Sequence, residues 1–490
     1  MTAEDLLAKP AWRPEDLGKP LPDSAHAVSM ALPRWQDVVG YEEKNPGVMD
    51  QLKCGYPRFM IHPLVAELAR RIGGGRPCLP FPSEKTAARC ARFVRETTGH
   101  DGQILGDRGV FGVVAPGEGG EAALRAFWQH TGLIISTRQA ESALHGRRED
   151  SRASAGVRLE LRRRLAVLYD CAEGDVYLAP TGMAAQFAAL QAVVARRPDA
   201  PTAQLGFCYV DTLKLQQKFG HGATLLHDLA GITSSLEALM ARQKLAACFS
   251  EIPGNPLLGS VDLRKVSPVL RGGGVPLVGD DVVATPINVD LRPYADLVAT
   301  SLTKYIAGTC DVMGGAVICN PRSPMYGELH RLLQEQHEEL LWGEDAAVLE
   351  RNARSFPERM ARHNENGLFI AERLRRHPAI ERVWYPKWQD RDAYEAVRRK
   401  EGGWGSLVTF LPKDAERTSP RIYDRLEVCK GPSLGTVFTL ACPFTLLAHY
   451  TELDWAESCG ISRHLIRISV GIEDPEEIWG RIDRALRLPL

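Results

Sequence analysis

Residues 296–308 read DLVATSLTKYIAG. The apolar and β-branched run from Leu297 to Thr300 makes a strand, and it closes on Ser301, Thr303 and Lys304. A lysine after a strand ordinarily marks the chain emerging into water. Here two hydroxyls flank it at a strand end, the position where open α/β sheets bind their ligands.

A matching strand end lies upstream. The run VPLVGDD, residues 275–281, delivers Asp280 to the end of an apolar strand. Further back, LAPTGMAAQFAALQAVVARR, residues 178–197, places Thr181 as helix N-cap and Gly182 at the opening of an alanine-rich helix. The amides of Gly182 and Met183, aided by the helix dipole, form an anion site that needs no basic side chain. The plainer reading is a capped helix packed on the sheet. Taken together, the three stretches ask for a ligand with a carbonyl for the lysine, a phosphate for the helix start and a basic nitrogen for the aspartate. Pyridoxal 5'-phosphate meets all three requirements.

The whole chain sets the bounds. Its 490 residues are enough for two or three domains, and 44 % hydrophobic with 25 % charged residues is an ordinary globular composition. With 60 basic against 61 acidic residues the net charge is −1, which gives no electrostatic footprint for nucleic acid or an anionic membrane. Eleven cysteines are scattered singly, with no C-x-x-C, so they read as reduced thiols and no metal site is expected. The first twenty residues show no basic stretch followed by an apolar one, and no apolar run reaches the roughly 18–20 residues that span a bilayer. The expected location is the cytoplasm, with no membrane partner.

Strand and helix patterns alternate from about 110 to 320, which predicts an α/β fold with a mostly parallel sheet covered on both faces. Helical periodicity from about 325 to 377, then IERVWYP and SLVTFLP, predicts a smaller α+β unit at the C-terminal end. Residues 1–80, rich in proline and turn signals, read as an extended arm. One rival remains from a different class. GVFGVVAPGEGGEAALRAFW, residues 109–128, mimics a dinucleotide fingerprint through Gly117, Gly119 and Ala122, with Arg138 placed to read a 2′-phosphate, as in an NADP-dependent oxidoreductase. That reading has Pro116 in the turn and leaves Lys304, Asp280 and Arg467 unexplained.

Seven stretches in order carry a resemblance: TGMAA (181–185), SEIPGNPLL (250–258), VGDDVVATP (278–286), SLTKYIAGTCDVMGGAV (301–317), HPAIERVWYP (377–386), SLGTVFTL (433–440) and LIRISVGIED (465–474). They resemble the Cys/Met-metabolism family of pyridoxal-phosphate enzymes. The extension ALPRWQDVVGYEEKNPGVMDQLKCGYPRFMIHPL, residues 31–64, resembles that of the family's fungal-type cystathionine γ-synthase branch. The resemblance implies the fold type I, aspartate aminotransferase-like architecture. It divides the chain into an N-terminal extension over 1–135, packed on the large domain or a neighbour, a cofactor-binding α/β domain over 136–345 and a C-terminal α+β domain over 346–490.

It also implies roles. Lys304 would be the Schiff-base lysine and proton shuttle, and Asp280 the acid on the pyridine nitrogen. Ser301, Thr303, Gly182 and Met183 would hold phosphate, Tyr209 would stack on the ring, and Asn255 would lie near its phenolic oxygen. Arg467 would clamp the substrate α-carboxylate with Ser433 beside it, since a guanidinium grips a carboxylate through two parallel bonds and keeps its charge. Asn255, followed by Pro256, reads equally as a turn residue, Tyr209 as a core tyrosine and Arg467 as half of a salt bridge. Family members are homotetramers, dimers of dimers with shared active sites. They carry Tyr-x-Arg near the start of the cofactor domain, reaching a neighbour's phosphate; IISTRQAE keeps Arg138 but has Ser136 in place of tyrosine. Phe438 stands where many members have a glutamate for the distal amino group of cystathionine. The implied reaction is γ-replacement on an activated homoserine, with cysteine as the nucleophile. The alternative is a γ-lyase acting on a γ-substituted amino acid.

Overall fold

The computed structural model describes residues 2–487. Three sheets organise the chain. The first is antiparallel, in the order β1-β3-β2, and consists of β1 (Cys78–Phe81), β2 (Gln103–Asp107) and β3 (Val110–Val114). The second has seven strands: β4 (Val176–Ala179), β5 (Thr202–Leu205), β6 (Ala223–Leu226), β7 (Cys248–Glu251), β8 (Leu277–Asp280), β9 (Leu297–Ser301) and β10 (Gly315–Cys319). Their order is β4-β10-β9-β8-β7-β5-β6, and only β10 runs against the others. The third contains β11 (Ile380–Trp384), β12 (Leu407–Pro412), β13 (Cys429–Lys430), β14 (Leu440–Cys442) and β15 (Ile466–Ser469), in the order β11-β12-β15-β14-β13.

The central strands are apolar on both faces because helices cover both. Along β9, Leu297 and Ala299 join one core cluster and Val298 the other; along β10, Val317 and Cys319 point one way and Ala316 and Ile318 the other. This period of two explains why these strands read as continuous hydrophobic runs. It also puts the C-terminal ends of the neighbouring parallel strands β8 and β9, and hence Asp280 and Ser301, at one edge.

The alanine-rich helix Gly182–Arg196 lies on this sheet with Ala184, Ala185, Ala189 and Ala192 buried. Two glycines set its depth. A Cβ on Gly182 would stand 2.6 Å from the Ser301 Cβ, and one on Gly315 would stand 2.3 Å from the Thr181 carbonyl oxygen. The helix N-terminus is thereby pinned against the end of β9.

Two sequence expectations change. Residues 1–80 form helices at Trp35–Glu42, Pro46–Met49 and Pro63–Gly73 as well as extended segments. Pro46 and Pro63 occupy the first helical position behind the caps Asn45 and His62, where a missing N–H costs nothing, so they start helices rather than exclude them. Strand β3 pairs antiparallel with β1 and β2, apart from the large sheet. The segment 109–128 therefore lacks the parallel β-α-β unit of a dinucleotide fold, and Arg138 lies inside the helix Thr137–Leu144. No helix among the described residues is long and apolar enough to cross a membrane.

Candidate active site

At the C-terminal edge of the large sheet, against the third sheet, lies a cavity of about 770 Å³. Lys304, Asp280, Gly182, Met183, Ser301, Thr303, Tyr209, Asn255, Ser433 and Arg467 all line it.

The Lys304 Nζ donates to the Ser433 Oγ at 2.9 Å. Ser433 holds φ at 104°, a conformation that side-chain-bearing residues rarely adopt, and its carbonyl accepts from Arg467 Nη2 at 2.6 Å. One strained residue thus fixes both the lysine and the arginine.

Asp280 accepts from Gln186 Nε2 at 2.8 Å and from the Val282 amide at 2.9 Å. Burial, with Asp281 adding like charge, pushes its carboxyl up to about 7. A cation against Asp280 would reverse that shift. The Gln186 Oε1 is buried without a partner.

Thr181 caps its helix as expected: its Oγ1 accepts from the Ala184 amide at 3.0 Å and donates to the Gly132 carbonyl at 2.9 Å. The amides of Gly182 and Met183 belong to the first turn, where no intrahelical carbonyl can reach them. Ser301 faces them across the glycine contact. Thr303 Oγ1 bonds the Gly314 backbone, accepting from its amide at 3.1 Å.

Arg467 sits on β15, opposite Thr409 of β12 and Cys442 of β14. It donates to Asn255 Oδ1 at 3.1 Å and lies 5.0 Å from the Phe444 ring centre, while its Nε is buried without a partner. Its partners are a side-chain amide and a backbone carbonyl rather than a carboxylate, so the salt-bridge reading does not hold. A buried guanidinium with unused donors is suited to a carboxylate ligand.

Tyr209 precedes the helix Val210–Phe219, and its hydroxyl accepts from Arg58 Nη2 at 2.5 Å. Burial raises this phenol well above its usual value.

Arg138 does not line the cavity. It donates to the Asp311 carbonyl at 2.7 Å and to Asp345 Oδ1 at 3.1 Å, and Ser136 caps the same helix. Phe438 is fully buried in the apolar core instead of facing the cavity.

Two lining residues went unread in the sequence, Tyr56 and Arg58. The Tyr56 ring centre lies 4.6 Å from Lys304 Nζ. Burial opposes ionisation of this phenol, but Lys304 and Arg58 overcome it and hold the group below its ordinary value. Arg58 pairs with Asp211 at 2.5 Å, and His130 meets the same carboxylate at 3.0 Å. Burial works against the Asp211 charge, yet Arg58 and His130 keep it below the usual carboxylate range. The signal was present: Tyr56-Pro57-Arg58 is a Tyr-x-Arg, some eighty residues upstream of Arg138.

The Cys/Met metabolism PLP-dependent enzyme model matches residues 124–487, and the fungal trans-sulfuration enzyme N-terminal domain matches residues 60–136. The chain is 32 % identical to a cystathionine gamma-synthase of Neurospora crassa, covering 97 % of this chain and 98 % of that protein. It is 33 % identical to the L-2-amino-4-chloropent-4-enoate dechlorinase/desaturase of Streptantibioticus cattleyicolor, over 94 % of this chain and 96 % of the other. Among solved structures, cystathionine gamma synthase from Xanthomonas oryzae pv. oryzae in complex with cystathionine superposes with a TM-score of 0.59 at 26 % identity, covering 69 % of this chain and 88 % of that one.

Proposed function

This chain belongs to the Cys/Met metabolism PLP-dependent enzyme family, and on that footing we propose that it joins a thiol to an activated homoserine by γ-replacement, as a cystathionine γ-synthase does. The observation that carries the reading is the convergence of Lys304, Asp280, the Gly182 helix start and Arg467 on one cavity.

The residues fit the cofactor. Asp280 is a partly buried carboxylate, raised by desolvation, that faces the cavity without a cation, and Gln186 and Arg467 each keep an unpartnered buried atom. Asp280 would hold the pyridine nitrogen protonated, Gly182, Met183, Ser301 and Thr303 would hold the phosphate, Tyr209 would cover the ring and Asn255 would lie beside it. Bound pyridoxal 5'-phosphate supplies a carbonyl carbon for the substrate amine and a ring that accepts electrons released at Cα.

Arg467 grips the substrate α-carboxylate and so orients the Cα–H bond toward Lys304. The Lys304 Nζ takes that proton, and its bond to Ser433 aims the nitrogen's approach. A further proton leaves Cβ, the γ-substituent departs from Cγ with its bonding pair, the thiol sulfur bonds to Cγ, and the two abstracted protons return to Cβ and Cα. The thiol's proton balances the displaced anion.

The outer wall favours a second reading. Met49, Met60, Phe444 and Leu447 form an apolar stretch of it, beside Glu42, Lys44 and Lys214, and Phe438, buried in the core, brings no carboxylate to the cavity. Such a wall suits elimination from an amino acid with an apolar γ-substituent, releasing a 2-oxo acid and ammonia. Cystathionine formed, measured against 2-oxobutanoate released from acetylated, succinylated and phosphorylated homoserine with cysteine, separates the two. Release with no thiol-dependent product rejects the synthase. The same reading extends to a homotetramer, which the family resemblance supports, and to the cytoplasmic location expected from the sequence.

A further inference from the structure

We propose that Glu42 selects the incoming thiol: its carboxylate accepts from an ammonium group carried by the second substrate, so an amino-acid thiol is preferred over an uncharged one. This rests on the γ-replacement reading above and gives the thiol of that reaction a chemical class.

Glu42 ends the helix Trp35–Glu42, which packs against the helix Phe444–His449. The first helix brings Glu42 to the cavity and the second brings Phe444 and Leu447, so the carboxylate stands beside the apolar stretch of the outer wall. Among the described residues three carboxylates line the cavity, and two of them are held. Asp280 accepts from Gln186 and the Val282 amide at the sheet edge, and Glu251 accepts from the Tyr209 amide at 2.8 Å. Glu42 is half-buried, and no hydrogen bond or ion pair among the described residues reaches its carboxylate.

The charged groups near it are engaged elsewhere. The Lys44 Nζ donates to the Tyr41 carbonyl at 3.2 Å and lies 4.5 Å from the Tyr41 ring centre. Lys214 pairs with Glu452 at 3.1 Å, and Glu43 accepts from the Tyr450 hydroxyl at 2.6 Å. Burial pushes the Glu42 carboxyl up to about 7, against a weaker opposing pull from Lys44. A carboxylate desolvated without a cation is costly, and an ammonium beside it would supply a charge-assisted hydrogen bond. The reaction leaves one source for that cation. The activated homoserine commits its amine to the cofactor carbonyl and its α-carboxylate to Arg467, and an acetyl, succinyl or phosphoryl group at Cγ is neutral or anionic. The ammonium of the thiol substrate is what remains.

Thioether formation by the cofactor-loaded enzyme, measured with several thiols, tests the proposal. Cysteine and cysteamine carry an ammonium, 2-mercaptoethanol carries no charge, and 3-mercaptopropionate carries a carboxylate. Each kcat/KM is divided by that for 2-mercaptoethanol in the same preparation, so any loss of folded protein cancels. In Glu42→Gln the ratios for cysteine and cysteamine should both fall about tenfold, as expected when a hydrogen bond to a charged group is lost. In Glu42→Lys the ratio for 3-mercaptopropionate should rise instead, because the sign of the charge facing the thiol is reversed. A ratio that Glu42→Gln leaves unchanged for either aminothiol overturns the proposal, while the thioether formed still upholds the functional reading. Release of 2-oxobutanoate with no thioether from any thiol overturns the functional reading, and the proposal with it.

Discussion

The hydroxyl of Ser433 accepts from the Lys304 Nζ at 2.9 Å, although the two residues follow strands of different sheets and are separated by 129 positions in sequence. Ser433 holds this position at φ 104°. A serine that accepts backbone strain in order to face a lysine and an arginine at once points to a site under functional constraint.

Ser433→Gly and Ser433→Ala separate the strain from the hydroxyl. Both lose the contact with Lys304, and both should lower kcat about tenfold or more. Only glycine relieves the backbone, so Ser433→Gly should be the more stable of the two by about 1 kcal/mol. Thermal unfolding beside steady-state kinetics reads this. Equal Tm values for the pair would remove the strain argument.

Arg467→Lys keeps the charge but loses the planar fork. KM for the amino-acid substrate should rise at least about tenfold, equivalent to about 1.4 kcal/mol, with a smaller fall in kcat. An unchanged KM would mean that another group holds the α-carboxylate.

The carboxyl of Asp280 is raised from 3.8 to about 7 in the folded protein. Across that window the folded protein keeps a proton that the unfolded chain has lost, so stability falls as pH rises through it. Asp280→Asn should therefore stabilise the cofactor-free protein relative to wild type at pH 8, by on the order of a few kcal/mol, and not at pH 4. Urea unfolding at the two pH values measures this difference. With pyridoxal 5'-phosphate bound the order should invert, since the carboxylate then has a cation to pair with.

Gly182→Ala tests the helix start. Its Cβ would meet the Ser301 Cβ at 2.6 Å, so either the helix withdraws or β9 shifts. The expected cost is about 1–3 kcal/mol of stability. Affinity for the cofactor, measured by fluorescence titration, should fall as well. Retained affinity would show that phosphate does not use these amides.

The large sheet and most of the cavity were legible because they rest on local signals. Apolar runs buried on both faces, a threonine cap and strand ends with polar residues are written in contiguous letters, and Lys304, Asp280 and Gly182 fall at such points. What was not legible depended on partners far along the chain. The sequence around Val110–Val114 looks like any apolar strand, and only its pairing with Cys78–Phe81 separates it from the parallel sheet. Prolines at 46 and 63 have opposite meanings before and within a helix, and tertiary packing decides which applies. Arg138 and Arg58 are equally plausible as letters. The distinction lies in what surrounds them: Asp345 and the Asp311 carbonyl saturate Arg138, whereas Arg58 is aimed at Tyr209.

The Lys430 ammonium, donating to the Pro33 and Asp424 carbonyls, joins stretches 397 positions apart. During synthesis the residues around Pro33 leave the ribosome long before Lys430 exists, so this clasp cannot close until residue 430 has been made. Until then Tyr56 and Arg58 have no fixed place opposite Lys304, and the apolar surfaces that they later cover stay open to solvent. Completion of the cavity thus waits on the synthesis of a residue far downstream of the segment it fixes, a delay that a chaperone holding the early segment would be expected to bridge.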